Sequence, residues 1–170
     1  MARNLGQCAA ASIALALAAV TCSAHADVKP EYNGMRLHEL YVENLTPDHR
    51  PLDATSPLHA ELARHFRTFE AWRRDFAAVA SMRGVGWAIL YEDPETGRLS
   101  NHWITLHEHG HPAGFRPLLV MDVWEHAFLV DYKPTERSRY IEAFFANVDW
   151  RTVEGRFARG EAEATRARPA

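Results

Sequence analysis

Between residues 34 and 80, apolar side chains recur every three or four positions, which predicts a series of amphipathic helices. The helices expected there cover 34–45, 57–66 and 69–80. Ser56 and Thr68 are suitable N-caps for the second and third helices, and Pro57 is favoured at a first helical position. The proline- and aspartate-containing segment 46–56 is typical of a loop.

A different pattern begins at Gly84, where short apolar runs alternate with turn residues. The runs predict strands at 87–91, 99–107 and 117–124, with a hairpin turn at 93–97 between the first two. Two final helices are expected at 136–148 and 150–158, with Thr135 and Asp149 as their caps. This order of helices, consecutive strands and further helices indicates an α+β fold rather than one in which strands and helices alternate.

Residues 1–26 have the composition of a secretory signal peptide. Arg3 is their only charged side chain, 9–20 is apolar and rich in alanine, and Ala24-His25-Ala26 fits a signal-peptidase site. Thr21 precedes Cys22 where a lipoprotein signal would have a smaller residue, so we expect a soluble secreted product, located in the periplasm. An uncleaved anchor is the alternative.

Removing 26 of the 170 residues leaves 144, which suffices for one domain with a sizeable core. We expect that domain at 27–159, with a helical part at 27–83 and an α/β part at 84–159. The charged, alanine-rich segment 160–170 is expected to be a flexible tail.

Cysteine content and charge exclude several kinds of chemistry. Cys8 and Cys22 both lie in the predicted signal peptide, so the secreted chain would have no disulfide, thiolate ligand or cysteine nucleophile. The formal net charge is −3, and it becomes −4 when Arg3 is removed with the leader. A mildly acidic chain is a poor candidate for non-specific nucleic-acid binding, so we expect no nucleic-acid partner and no membrane association after cleavage.

The third predicted strand leads into the segment with the most evident chemistry. Its apolar run ends at Asp122, and His126 follows after Val123, Trp124 and Glu125. A carboxylate oxygen and an imidazole nitrogen this close together can bind one borderline metal ion such as manganese or iron. The segment therefore predicts a metal site at the end of a buried strand.

The same segment, 122–128, resembles the D-x-W-E-H-A-[FY] signature of the iron/manganese superoxide dismutases. Further short matches to the family follow in the right order: Trp72 to Phe76, Gly84-Val85-Gly86-Trp87-Ala88, Pro117-Leu118-Leu119, Tyr132-Lys133, Tyr140-Ile141 and Phe145 to Trp150. The resemblance covers Gly34 to about Phe157. It implies the family's fold, with a shortened helical N-terminal part and a three-stranded antiparallel sheet flanked by helices.

The resemblance also implies a set of metal ligands. Asp122 and His126 match two of the family's four protein ligands. His38 lies in a segment similar to the family's N-H-x-x-F-W helix motif, which implies that it is a third; taken alone, it could equally be a half-buried histidine with an ordinary hydrogen bond. The implied cofactor is one manganese or iron ion per subunit, and the two metals share these ligand preferences.

The fourth ligand of the family lies on a preceding helix, in an H-H-x-K-H-H-x-x-Y stretch. Only 27–33 would stand before Gly34 after cleavage, so we expect a shortened form without that ligand or the family's gateway histidine and tyrosine. The family's Tyr-Tyr after the signature is replaced here by Phe128-Leu129, which is consistent with that loss. His49 and His59 could replace the ligand, but no spacing supports either, and surface positions explain them better.

A glutamine or histidine in the family bonds to the metal-bound solvent and tunes the redox potential. It comes either from four residues before the helix ligand, here Gly34, or from the strand before the signature. Since glycine has no side chain to offer, we expect His107 to be this catalytic residue. His107, His109 and His111 also alternate, so they could bind a metal on their own or simply face solvent.

Trp87 and Trp124 are expected as aromatic walls of the site, although ordinary core packing would also explain them. Glu125 lies beside a ligand on a segment that we expect to be buried, so it needs a partner. In the family this glutamate crosses the dimer interface to a ligand histidine. The resemblance therefore implies a homodimer, and an intrachain salt bridge is the alternative.

The function implied is a secreted superoxide dismutase that converts superoxide to oxygen and hydrogen peroxide. The alternative is a non-catalytic metal-binding or interaction protein on the same fold. A third possibility, an oxygen-activating iron enzyme with two histidines and one carboxylate, has no supporting substrate feature in the sequence.

Overall fold

The computed structural model describes residues 31–167, with backbone only at 161 and 163–167. The predicted signal peptide at 1–26 lies outside the described residues, as do the first residues of the predicted domain, 27–30, and the end of the predicted tail, 168–170. Within 31–167, no helix combines the length and the apolar character that crossing a membrane requires.

The described chain has five helices and three strands in the predicted α+β order. The helices are α1 at 31–43, α2 at Pro57–Phe66, α3 at Phe69–Ala80, α4 at Arg137–Phe145 and α5 at Trp150–Ala167. The strands are β1 at Gly86–Glu92, β2 at Leu99–Thr105 and β3 at Arg116–Asp122. Short 3-10 turns lie at Glu125–Ala127 and Pro134–Glu136.

Side chains cap three of the helices as predicted. Ser56 Oγ accepts a hydrogen bond from the His59 N–H at 3.2 Å, and Thr68 Oγ1 accepts one from the Ala71 N–H at 3.0 Å. Asp149 Oδ1 accepts one from the Arg151 N–H at 3.1 Å. These bonds satisfy amide groups that have no partner in the first helical turn.

The predictions for the last two helices were wrong at their ends. Thr135 is not a cap, because it lies inside the 3-10 turn that Pro134 begins, and α4 starts only at Arg137. Helix α5 does not end at Ala158 but continues to Ala167, so most of the expected tail is helical. The tail is rich in alanine, glutamate and arginine, which are strong helix formers.

The sheet is antiparallel, with strand order β2-β1-β3. Every residue of the central strand β1 is buried. The register sets Trp87 opposite Ile104 on one side and Asp122 on the other. The first residues of β1 therefore lie beside the end of β3, where the metal site was predicted.

The second and third strands are shorter than predicted. β2 ends at Thr105 rather than at residue 107, because Leu106 has a positive φ of 58° that turns the chain out of the strand. β3 ends at Asp122 rather than at Trp124. His107 thus lies on a loop beyond the sheet, where its direction depends on the turn and not on strand alternation.

Gly86 is required by the close approach of β1 and β2. Its φ is +145°, and a β carbon on it would lie 2.1 Å from the backbone oxygen of Ile104. Backbone on a paired strand cannot move away as a flexible side chain can. This explains the second glycine of the Gly84-Val85-Gly86-Trp87-Ala88 motif.

Alternate side chains of β1 enter two apolar layers. Ala88 and Leu90 face the larger layer, built with α2, α3, α4 and α5 and containing Trp72 and Phe76. Trp87, Ile89 and Tyr91 face a smaller layer that is covered by α1 through Leu37. Helix α1 consequently lies on the face of the sheet that carries Trp87.

Asn44 and Arg156 attach the end of α1 to the free edge of β3. The Asn44 side chain accepts a hydrogen bond from the Val120 N–H at 3.0 Å and donates one to the Val120 carbonyl at 3.2 Å. Arg156 donates to the carbonyls of Leu118 at 2.9 Å and Leu40 at 3.0 Å. These bonds satisfy backbone groups that an edge strand would otherwise leave unpaired, and they set α1 against β3.

Candidate metal centre

The three predicted ligands converge, although they come from three different elements: α1, the end of β3 and the 3-10 turn. His38 Nε2 lies 3.2 Å from His126 Nε2 and 3.4 Å from Asp122 Oδ2. His126 Nε2 lies 3.1 Å from the same carboxylate oxygen. Among residues 31–167, these side chains form the one group of three or more potential ligands close enough to share an ion.

The spacing of the three donor atoms matches a single metal ion. Bonds of about 2.0–2.2 Å at angles of about 90–120° place neighbouring ligand atoms about 2.8–3.8 Å apart. All three observed distances, from 3.1 to 3.4 Å, fall in this interval. Two imidazole nitrogens and one carboxylate oxygen are ligands that manganese and iron accept.

Gly34 orients the His38 imidazole through its backbone. His38 Nδ1 lies 2.7 Å from the Gly34 carbonyl oxygen, which can only accept a hydrogen bond. Nδ1 therefore carries the proton of the neutral ring, and the Nε2 lone pair faces the other two ligands. A hydrogen bond from the remote ring nitrogen is the usual way in which a protein fixes a histidine ligand.

Asp122 is the buried member of the group. Its Oδ1 accepts a hydrogen bond from the Trp124 N–H at 2.8 Å, which leaves Oδ2 for the histidines. Burial raises the pKa of the Asp122 carboxyl, against the lowering effects of that N–H and of the imidazoles of His126 and His38. An ion at this place would offset the cost of burying the carboxylate.

Two tyrosines, Tyr41 and Tyr140, support the end of β3 from the side opposite the candidate site. Tyr140 donates a hydrogen bond to the backbone oxygen of Asp122 at 2.7 Å, and its hydroxyl lies 3.1 Å from that of Tyr41. Burial raises the pKa of both phenols, so both stay neutral and able to donate. Tyr140 lies within a family-like segment, but nothing in the sequence shows which carbonyl it reaches.

His107 lies beside the group, with its ring centroid 6.1 Å from that of His38. Trp87 Nε1 donates a hydrogen bond to His107 Nδ1 at 3.2 Å, so the neutral ring carries its proton on Nε2. Its ring stacks on Trp124 at 4.9 Å. The catalytic role of His107 stays a prediction, but its place next to the ligands agrees with that prediction.

The rings of Trp87 and Trp124 lie beside His38 and His126, where walls of the site were predicted. The Trp87 ring meets His38 edge-on at 4.8 Å, and Trp124 stacks with His126 at 6.1 Å. Trp87 is fully buried and also belongs to the smaller apolar layer. Trp87 therefore packs in the core and at the same time lies beside the candidate site.

The other candidate histidines do not join the group. His111 uses both ring nitrogens in hydrogen bonds and His109 is exposed, so the metal site considered for the three alternating histidines is not formed. His49 lies 3.2 Å from the Val148 carbonyl, and His59 stacks on a phenylalanine. Neither approaches the three ligands within the described part of the chain.

One side of the group is open. The side chains of His38 and His126 are 42% and 57% exposed, whereas that of Asp122 is 2% exposed. Glu125 is exposed too, so the expectation that it lies on a buried segment is wrong for the single chain, because it lies on the 3-10 turn beyond β3, none of whose residues is buried. Met35 and Val42, three residues before and four after His38, are exposed on the same face of α1.

The fold and the site together define an α+β protein in which two histidines and one aspartate are placed so that they could share one metal ion. Residues 54–156 match the family model for the C-terminal domain of iron/manganese superoxide dismutases. The chain belongs to the iron/manganese superoxide dismutase family, which confirms the resemblance found in the sequence.

Some of the relatives are named as manganese superoxide dismutases and others as iron superoxide dismutases. The chain is 34% identical over 139 residues to a manganese superoxide dismutase of Halobacterium salinarum, which covers 82% of this chain and 68% of the relative. It is 36% identical over 128 residues to an iron superoxide dismutase of Cupriavidus metallidurans, covering 74% of this chain and 62% of the relative. An iron superoxide dismutase of Aquifex pyrophilus is 38% identical over 126 residues, covering 74% of this chain and 58% of the relative.

Proposed function

We propose that this protein is a superoxide dismutase that uses one manganese or iron ion held by His38, Asp122 and His126. The observation that carries the proposal is the convergence of the three donor atoms at 3.1–3.4 Å in a member of this family. The names of relatives with either metal support both ions equally.

A bound ion would supply the redox chemistry, in which one superoxide is oxidised to oxygen and a second, with two protons, is reduced to hydrogen peroxide. Asp122 and Gly34 would set the charge and the geometry that this chemistry needs. Asp122 contributes a negative charge that favours the trivalent state, and the Gly34 carbonyl keeps His38 Nε2 free to bind. The open side of the group admits a small anion.

His107 is proposed to hold a proton next to the ion. Trp87 occupies its Nδ1, so Nε2–H is the atom that remains to donate a hydrogen bond to a bound anion. Together with Trp124, on which it stacks, this histidine lies along one side of the proposed ligands. A fixed donor of this kind stabilises developing negative charge without reorganisation.

The test is to measure metal content and dismutation for the purified protein, for His38→Ala and His126→Ala, and for His109→Ala as a matched control. We expect manganese or iron in the wild type and in the control, and loss of metal and activity in both ligand variants. An inactive, metal-free wild type would overturn the proposal. Full metal content and activity in His38→Ala would refute its assignment as a ligand.

A non-catalytic metal-binding protein is the second candidate, because only three potential protein ligands converge within the described residues. Three protein ligands with a wide solvent-exposed side suffice for metal affinity without setting the potential that dismutation needs. A wild type that contains metal but has no dismutase activity would support this candidate instead.

We propose in addition that the protein is exported and forms a homodimer. The apolar run 9–20 and the site at 24–26 support export, and the exposure of Glu125 beside His126 leaves it available to a partner subunit. Mass spectrometry of the periplasmic protein should find Asp27 as its first residue. Sedimentation should show a dimer that Glu125→Ala weakens; a monomeric wild type would contradict this part.

A further inference from the structure

The loop after β2 delivers His107 to the site, and it does so in a disfavoured conformation. Leu106 has a φ of +58° and Gly110 a φ of +101°. Thr105 and His109 close the loop through two backbone hydrogen bonds of 3.1 and 3.3 Å. A leucine in the left-handed region is uncommon and persists only where surrounding contacts hold it.

His111 supplies such a contact directly to His107. Its Nε2 lies 2.9 Å from the His107 carbonyl oxygen, and its Nδ1 lies 2.6 Å from the Tyr91 hydroxyl. A carbonyl oxygen can only accept, so Nε2 carries the proton of the neutral ring and Nδ1 accepts from Tyr91. Burial raises the pKa of the Tyr91 phenol, which keeps it a donor.

Tyr91 and Trp87 lie on the same face of β1, four residues apart, and both are buried. Trp87 binds the His107 side chain at Nδ1, while Tyr91 acts through His111 on the His107 backbone. The buried strand β1 therefore fixes both the side chain and the backbone of His107. The three alternating histidines thus have different surroundings: one beside the ligands, one exposed and one bound to the sheet.

We propose that His111, oriented by Tyr91, is a positioning residue that holds the backbone of His107 so that the His107 imidazole stays beside the metal ligands. The proposal rests on the proposed function for its effect on catalysis. Whether His111 fixes the position of His107 can be tested whether or not the protein is a dismutase.

The direct test is the indole N–H signal of Trp87 in ¹⁵N NMR of the full secreted chain, prepared without metal. The bond to His107 Nδ1 should move this signal downfield and slow its exchange with solvent. We expect His111→Leu and Tyr91→Phe to shift it towards the position of a free indole and to speed its exchange. His109→Ala, in the same loop but exposed, should leave it unchanged.

Rescue separates positioning from a general loss of structure. His111→Gln keeps one donor and one acceptor at the end of the side chain and should retain the wild-type indole signal. In the metal-loaded protein, we expect dismutation to fall about tenfold in His111→Leu and Tyr91→Phe at unchanged metal content, since a displaced catalytic group costs at least this much. His111→Gln and His109→Ala should keep most of the wild-type rate.

The outcomes distinguish this proposal from the proposed function. An unchanged Trp87 signal in both His111→Leu and Tyr91→Phe would overturn the hold on His107 even if the protein is a dismutase. An inactive wild type in which the signal still depends on His111 would sustain the hold while the proposed function fails. Should His111→Leu not fold, Tyr91→Phe removes a single hydroxyl and decides the question alone.

Discussion

The imidazole of His107 lies directly over Gly34, with its Cδ2 atom 3.2 Å from the place where a β carbon on residue 34 would lie. Gly34 stands four residues before the proposed ligand His38 in α1, and its carbonyl oxygen orients the His38 ring. A side chain at position 34 and the His107 ring therefore compete for one space. This explains in physical terms why a glycine in α1 accompanies a histidine on the loop after β2.

A hydrogen-bonding side chain at position 34 of α1 should be able to replace His107 only if the His107 ring is removed from the space between them. We expect Gly34→Gln alone to displace His107 and to lower dismutation at least about tenfold, because small displacements of catalytic groups have effects of this size. The double variant Gly34→Gln with His107→Ala should recover part of the rate. Steady-state rates per bound metal ion provide the measurement, and a double variant slower than both single variants would refute the shared-space explanation.

The metal-free protein should become less stable as the pH rises past the ordinary range for aspartate. Burial raises the pKa of Asp122 in the folded state, so between the unfolded and folded pKa values the folded chain binds more protons than the unfolded chain. The free energy of unfolding then falls by about 1.4 kcal/mol for each pH unit in that interval. Asp122→Asn cannot ionise and should lack this loss.

The difference in urea unfolding free energy between the metal-free wild type and Asp122→Asn, measured against pH, checks this prediction. The variant should gain relative to the wild type as the pH rises and then keep a constant advantage. Metal should reverse the order, because only the wild type has the carboxylate to bind it. A difference that does not change with pH in the metal-free proteins would show that burial does not control this carboxyl.

Asn44→Ala should cost about 2–4 kcal/mol, because it leaves the N–H and the carbonyl of Val120 buried without partners. It should also loosen α1 from β3 and thus lower metal affinity, although Asn44 touches no ligand. Asn147→Ala, which removes one exposed hydrogen bond to the Ala143 carbonyl, should change stability by about 0.5 kcal/mol or less. Chemical unfolding and metal titration of both variants would test this, and equal effects would contradict it.

Gly86→Ala should destabilise the protein by about 3 kcal/mol or more, because the new methyl group meets the Ile104 backbone oxygen at 2.1 Å on a paired strand. Gly97 is the control. It also has a positive φ, of +68°, but nothing lies within 4 Å of its hypothetical β carbon. Gly97→Ala should cost only the backbone strain, about 1 kcal/mol. Thermal unfolding should therefore separate the two glycines clearly.

The elements of this protein could be predicted because their determinants are local, and the candidate ligands could be proposed because each lies in a short family-like motif. Ser56 and Thr68 cap the helices that follow them wherever those helices pack, and the hairpin turn at 93–97 lies between alternating apolar runs. Asp122 and His126 lie within one short motif, and His38 follows from a second motif in α1. Their convergence also needs α1 to pack beside β3, where Asn44 and Arg156 hold it.

The sequence alone predicted the α+β order, because periodicity and caps act over a few residues, and its resemblance to the family implied the antiparallel sheet and the three proposed metal ligands. Only the tertiary structure decided that Gly34 makes room for His107, that His111 binds Tyr91 rather than a metal, and that Asn44 joins α1 to β3. It also decided that Glu125 is exposed. Each of these depends on packing and hydrogen bonds between residues that are far apart in the sequence, and no local sequence pattern encodes such contacts.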